Sequence, residues 1–148
     1  MDKTQSGKRI STEELMQLLK NAPTIEGFFN RYEGEIPTLS VPEYLAVLLE
    51  RHHLAKQSVL KAANMERSLG YQIFNGYRNA RRDSLLCIAF GMQLTLFETQ
   101  HLLKIAQRGE LYPKNHRDAA VIFCIEHRLD LIQTEILLDN IGEALLES

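Results

Sequence analysis

The stretch that most limits what this chain can fold into runs from Leu54 to Arg82: LAKQSVLKAANMERSLGYQIFNGYRNARR. Two short helical patterns, Lys56 to Ala63 and Arg67 to Asn75, are separated by only a few residues around Asn64 and Met65, which is helix-turn-helix spacing. In the second pattern Leu69, Gly70, Ile73 and Phe74 recur on one side, while Arg67, Ser68, Tyr71, Gln72 and Asn75 fall on the other. The outward set can donate and accept hydrogen bonds. An arginine such as Arg67 can fork onto a guanine edge, and a glutamine such as Gln72 can pair with an adenine edge. Gly76 then stops the helix, because the chain must turn there into a left-handed conformation that glycine adopts freely.

Charge points the same way. From Arg51 to Arg82 there are seven basic residues (Arg51, Lys56, Lys61, Arg67, Arg78, Arg81, Arg82) and one acid, Glu66, for a local charge of +6. The whole chain carries −2, so everything outside this stretch sums to −8. In a mildly acidic protein so local a cationic stretch points to a polyanion site in one place rather than a basic average, the alternative being a solvated basic face.

The run resembles the Cro and lambda-repressor-like helix-turn-helix proteins, often called the XRE family. The match is gapless from Leu54 through Leu96. Leu54 opens the second helix of the pattern, the polar pair Lys56 and Gln57 follows, and Ala63 occupies the tightly packed alanine position. Met65 comes after the turn, Ile73 is the inward residue late in the recognition helix, and then come Gly76, Arg78-Asn79 and the Leu85 to Ala89 helix. Gly91-Met-Gln-Leu-Thr-Leu matches the usual exit, and the resemblance covers roughly residues 41–107. It implies DNA reading in the major groove, and dimers on two-fold operators with half-sites about 34 Å apart. Three positions depart from the pattern. Gly70 replaces an apolar core residue at a helix-propensity cost of about 1 kcal/mol relative to alanine. Glu66 stands where Ser or Thr usually caps, suiting the helix dipole but opposing a phosphate. Ala80 replaces a proline.

Around this unit the sequence predicts further helices. Ser11 and Glu14 form a capping box opening a helix with Leu15, Leu18 and Leu19 on one face, ending near Asn21. A second, over Ile25 to Tyr32, is expected to bury Phe28, Phe29 and Tyr32 before Gly34 and Pro37 break the pattern. Residues 1–10 are polar and expected to be disordered. The arm either pads the core or makes dimer or partner contacts. A capping box over Ser40 to Glu43, with Pro42 in the first turn, launches Tyr44 to His52, with Tyr44, Leu45, Leu48 and Leu49 inward. Asp83 or Ser84 is expected to cap Leu85 to Met92, and Thr95 with Glu98 to open Leu96 to Gln107. Beyond the GELYP loop at 109–113, Arg117 to Arg128 and Leu131 to Asn140 read as a hairpin. Its expected inward residues are Ala120, Ile122, Phe123 and Ile125 in one arm, and Ile132, Ile136 and Leu137 in the other. The hairpin faintly echoes residues 50–60, without a third basic helix. Ile141, Leu145 and Leu146 either dock on the bundle or meet a second subunit.

Chemistry at a catalytic centre finds no support. There is no glycine-rich phosphate loop, no His-Glu-x-x-His helix, no paired-cysteine metal spacing and no nucleophile elbow. Adjacent His52 and His53 diverge by about 100° on a helix and read as solvated or cap-region residues rather than ligands; His101, His116 and His127 read likewise. Cys87 and Cys124 lie in apolar helical runs and read as buried free thiols. A hydrophobic content of 45% and a charged content of 24% are those of a soluble globular protein. No apolar run has membrane-span length and the first residues lack a signal peptide's apolar core, so a cytoplasmic location is expected.

The resulting expectation is an all-α chain: an arm over 1–39, a five-helix repressor-like helix-turn-helix bundle over 40–108, and a C-terminal hairpin over 109–148 packed on it. It is expected to be a bacterial or phage type of transcriptional regulator, not an enzyme, with no cofactor or metal. Its partner is double-stranded DNA, with a homodimer, or a protein held by the arm or hairpin, as further partners. Arg67, Ser68, Tyr71 and Gln72 are the base-reading candidates. Lys56, Asn75, Tyr77, Arg78, Arg81 and Arg82 are the phosphate-binding candidates. The alternative is a protein-interaction adaptor that keeps the helix-turn-helix only as scaffold.

Overall fold

The computed structural model describes residues 10–32 and 39–148, and among these there is helix and connecting turn but no strand. The disorder expected at the extreme N-terminus and the break expected at Gly34 and Pro37 fall, for residues 1–9 and 33–38, outside the described residues. The chain divides into two compact units, Met1–Thr38 and Leu39–Ser148.

In the first unit, α1 (Thr12–Lys20) starts on the expected capping box. Ser11 Oγ accepts from the Glu14 amide at 3.1 Å, and Glu14 Oε1 accepts from the Ser11 amide at 3.0 Å, satisfying two donors that a helix start otherwise leaves open. None of its residues is fully buried. Helix α2 (Ile25–Arg31) is capped by Thr24. Of the three aromatics expected to be buried, only Phe28 is; Phe29 and Tyr32 are half-buried at its sides, with ring centroids 6.0 and 5.1 Å from it.

The second unit holds α3 (Val41–Arg51), α4 (Lys56–Ala62), α5 (Arg67–Phe74), α6 (Arg82–Met92), α7 (Leu96–Ile105), α8 (His116–Glu126) and α9 (Leu131–Asn140). Helix α6 is its axis. Ser84 through Phe90 and Met92 are all buried, so α6 is apolar nearly all round and α4, α7 and α9 pack on it from different sides. Gly91 makes the tightest of these crossings. A Cβ placed there would lie 2.6 Å from the Val59 carbonyl oxygen and 3.1 Å from the Ala63 amide nitrogen, so the α4 backbone occupies the space a side chain would need. Residues from α8, α9 and the final segment join the same apolar core as α3 to α7.

Several helices turn over within two or three residues, and the device is repeated. His53, Asn64, Gln93, Gln107 and Arg128 are left-handed, with φ between 50° and 59°. In each case the next amide reaches back to a carbonyl in the last helical turn, as from Leu54 to Leu49 at 2.9 Å and from Met65 to Leu60 at 3.0 Å. A left-handed non-glycine residue costs about 1 kcal/mol. What the fold gains is an apolar residue placed directly after the turn, at Leu54, Met65, Leu94 and Leu129, which packs on or into the core.

Three expectations need correction. Helix α6 begins at Arg82, not Leu85, and neither Asp83 nor Ser84 caps it: Arg81 is its N-cap without a side-chain bond. Asp83 instead pairs with Arg117 at 3.0 Å, and Ser84 Oγ donates to the Ser148 carbonyl oxygen at 2.9 Å. The hairpin's inward phase also differs. Val121 and Cys124 face in while Phe123 is 48% exposed; on α9, Leu131, Thr134 and Leu138 face in while Ile132 and Ile136 are 68% and 57% exposed. Apolar residues lie on several sides of both helices, and buried Thr134 is satisfied by donating to the Asp130 carbonyl oxygen at 2.8 Å. A side chain so satisfied can be buried at little cost.

The final segment docks through Leu146, which is buried, whereas Ile141 and Leu145 are exposed. Arg117 straps it down, donating to the Ala144 and Leu145 carbonyl oxygens at 2.9 and 2.7 Å while pairing with Asp83. Cys87 and Cys124 are buried free thiols as expected, and burial pushes the Cys87 thiol up to about 12.

Candidate nucleic-acid interface

Helices α4 and α5 are joined by Ala63 to Glu66, and small or apolar residues at the joint hold them together. Ala63 and Met65 are buried, and Asn64 supplies the left-handed bend. Gly70 lets the pair close up: a Cβ there would come within 2.3 to 2.9 Å of the end of the Leu60 side chain. The glycine thus marks a close approach to a side chain, and α5 is intact through it. Ile73 and Phe74 complete the inward face.

On the opposite face, Arg67 and Ser68 are exposed in the first turn, Tyr71 and Gln72 are half-buried in the middle, and Asn75 is exposed at the C-cap. Tyr71 also packs partly on the core, so only part of its side chain is left for outside contact. Glu66 is the N-cap: its carboxylate accepts from the Ser68 amide at 3.1 Å and the Leu69 amide at 3.0 Å. Those two N–H groups, Leu69 first, hold the carboxyl below its ordinary range. The Glu66 carboxylate is thus spent on the helix end.

The flanking cations divide into two groups. Lys56, half-buried at the start of α4, reaches across to α5, its Nζ 3.5 Å from Asn75 Oδ1 and 5.8 Å from the Phe74 ring centroid. Gly76, at φ 82°, ends α5 as expected, and the Tyr77 amide returns to the Gln72 carbonyl oxygen at 2.9 Å. The Tyr77 side chain is 84% exposed. Arg78 donates from Nε to Gln72 Oε1 at 3.1 Å. Arg81 is exposed at the start of α6, with Nη2 3.0 Å from the Ser148 carbonyl oxygen.

Arg82 does not belong with them. Its guanidinium donates to both Asp118 oxygens at 2.9 and 2.8 Å, and to the Gly109 and Glu110 carbonyl oxygens at 3.1 and 3.0 Å. The sequence reading as a phosphate clamp is therefore corrected: its planar fork is filled from inside the fold. Arg51, counted in the local charge, is likewise paired with Glu98 at 2.8 Å.

That pair belongs to a cluster the sequence did not reveal. Glu98, 5% exposed, caps its own helix by accepting from the Thr95 amide at 2.9 Å, and also takes Arg51 and His52 Nε2, the latter at 3.0 Å. Burial pushes the Glu98 carboxyl up, but the Thr95 amide, Arg51 and His52 together outweigh it and leave it below its ordinary value. His52 is the C-cap of α3, a cap-region residue as expected, and its ring nitrogen also lies within hydrogen-bond distance of Glu98. Tyr44, pushed up to about 12 chiefly by burial, stands beside it with its ring 4.9 Å from that of His101. Thr95 and Glu98 were legible as a cap; the reach of Glu98 to Arg51 and His52 was not, because it depends on tertiary packing.

Among the described residues no group of three or more His, Cys, Asp or Glu is placed to hold a metal ion, and no helix is long and apolar enough to cross a membrane. No family model matches the chain, and neither does any curated protein or solved structure.

Proposed function

We propose that residues 39–148 form a repressor-like helix-turn-helix domain that binds double-stranded DNA in a sequence-specific manner, as a transcriptional regulator of the XRE type. In this reading α3 to α7 are the five-helix bundle, and α5 enters the major groove. The observation that carries it is the outer face of α5, where Arg67 and Ser68 stand exposed in the first turn, Lys56 and Arg78 reach Asn75 and Gln72 toward its end, and Glu66 is occupied as the cap. Arg67, Ser68, Tyr71 and Gln72 contact base edges; Lys56, Asn75, Tyr77, Arg78 and Arg81 contact phosphates. Arg82 has no part in binding. A homodimer on a two-fold operator is the matching assembly.

Selection of bound duplexes from a random pool tests this reading. It should enrich one short motif, and Arg67→Ala or Gln72→Ala should each lose preference at one or two base pairs by about 1–3 kcal/mol. A pool that emerges without enrichment contradicts it. A second reading, a protein-interaction adaptor, is favoured by the exposure of Ile132 and Ile136 one helical turn apart on α9. It requires that Ile136→Glu abolish capture of a partner protein while the unenriched pool stays unenriched.

A further inference from the structure

We infer that Arg78 is a positioning residue for Gln72: one arginine holds the base-reading amide in a single orientation and ties it to the DNA backbone, an inference that rests on the DNA-binding reading above.

The geometry begins with Gly76. Its left-handed backbone folds the chain back on the end of α5, and the Tyr77 amide closes onto the Gln72 carbonyl oxygen at 2.9 Å. Residue 78 is thereby returned to the level of the turn that carries Gln72, six positions earlier, which helical spacing alone would not bring together. From there Arg78 Nε donates to Gln72 Oε1 at 3.1 Å.

Arginine has five donors and no acceptor, so the atom of the glutamine amide that faces it has to be the oxygen. That selects one of the two amide orientations and turns the NH2 group away from Arg78. A free glutamine side chain would have to give up rotamer freedom on binding; here part of that loss has already occurred. The carbonyl oxygen keeps a second lone pair, so the amide can still both donate and accept at a base edge. Nε is also the inner corner of the guanidinium. Both Nη groups make no hydrogen bond among the described residues, and they can fork onto a phosphate while Nε stays on Gln72. Phosphate, Arg78, Gln72 and base then form one chain of hydrogen bonds, in which placing the backbone places the reading group. Lys56 and Asn75 do not repeat this: the ammonium is 3.5 Å from Oδ1, and its rotating donors fix no plane.

The test measures preference at every base pair of the selected duplex for the full chain and for Gln72→Ala, Arg78→Lys, the double variant and Lys56→Ala. Arg78→Lys keeps the charge and loses the fork. Preference should fall about ten-fold in Arg78→Lys at the same base pair affected by Gln72→Ala, and the double variant should lose no more. Affinity for unrelated duplex should fall by less than the preference at that base pair, because the charge that faces the phosphate is kept. Lys56→Ala should weaken all duplexes evenly. A thermal melt shared by all the variants separates positioning from a folding defect. If Arg78→Lys keeps its preference at that base pair, or loses affinity evenly over every sequence, Arg78 does not position Gln72. If Gln72→Ala changes preference nowhere in a protein that still selects a motif, this inference falls alone. If the unaltered chain selects no motif, it falls together with the DNA reading.

Discussion

The guanidinium of Arg82 and the carboxylate of Asp118 lie face to face, joined by two parallel hydrogen bonds of 2.9 and 2.8 Å. Asp118 is buried, and it also accepts from the Tyr112 amide at 3.0 Å. The pair ties the start of α6 to the start of α8. Burial pushes the Asp118 carboxyl up, while Arg82 and the Tyr112 amide pull it below its ordinary range. Arg82→Ala should therefore act on stability, by about 1–3 kcal/mol, because it strands a buried charge. Arg81→Ala should act on DNA instead, weakening every duplex evenly with a smaller effect on stability. Urea unfolding and duplex titration of both variants check the division. Equal effects of the two on both measurements would contradict it.

Gly91 and Gly70 both sit inside helices, where alanine is intrinsically better by about 1 kcal/mol. Their surroundings make the outcomes differ. A methyl at Gly91 meets the Val59 carbonyl oxygen at 2.6 Å, which cannot move without moving α4; at Gly70 it meets the end of the Leu60 side chain, which can rotate. Gly91→Ala should cost about 1–3 kcal/mol, the usual cost of overpacking, and Gly70→Ala less. Thermal or urea unfolding reads the order directly.

Acid should loosen the second unit. Asp83, Glu98 and Asp118 are each pushed up by burial and pulled further down by their partners, so each ends below its ordinary value. A carboxyl lowered on folding contributes stability that is present above its unfolded value and lost as pH falls through the folded one. The ordinary values are 4.5 for glutamate and 3.8 for aspartate, so stability should hold above about pH 5 and decline below it. Glu98→Gln should be less stable at neutral pH and less acid-sensitive. Urea midpoints measured across this range check both; an acid response unchanged in Glu98→Gln would remove that residue from the explanation.

Much of the fold could be read from local chemistry. The capping boxes at Ser11, Ser40 and Thr95 start their helices where their side chains fix the first amides, and Gly76 ends α5 where only a left-handed residue would do. These signals lie within three or four residues of what they control. The misses have a different origin. Arg82 and Arg51 look like free cations until the packing brings Asp118 and Glu98 to them, and the contact of His52 with Glu98 is hidden for the same reason. The phase of α9 was ambiguous because Ile132 and Ile136 offer as good a stripe as Leu131 and Leu138; the choice falls to the neighbours, not to the helix. For the candidate site, the ridge of Arg67, Ser68 and Gln72 was legible from helical period alone. The bond from Arg78 back to Gln72 was not, because it depends on the return of the chain after Gly76.

Salt dependence is the most direct measure of whether this face binds a nucleic-acid backbone. With Arg51 and Arg82 set aside and Arg67 assigned to a base edge, the cations proposed to meet phosphates are Lys56, Arg78 and Arg81. Each phosphate neutralised contributes about −0.9 to the slope of log affinity against log salt, so duplex binding should fall with a slope of about −3 per protomer. Lys56→Ala should make it shallower by about 1. A slope near zero, or one unchanged in Lys56→Ala, would contradict phosphate binding by this face.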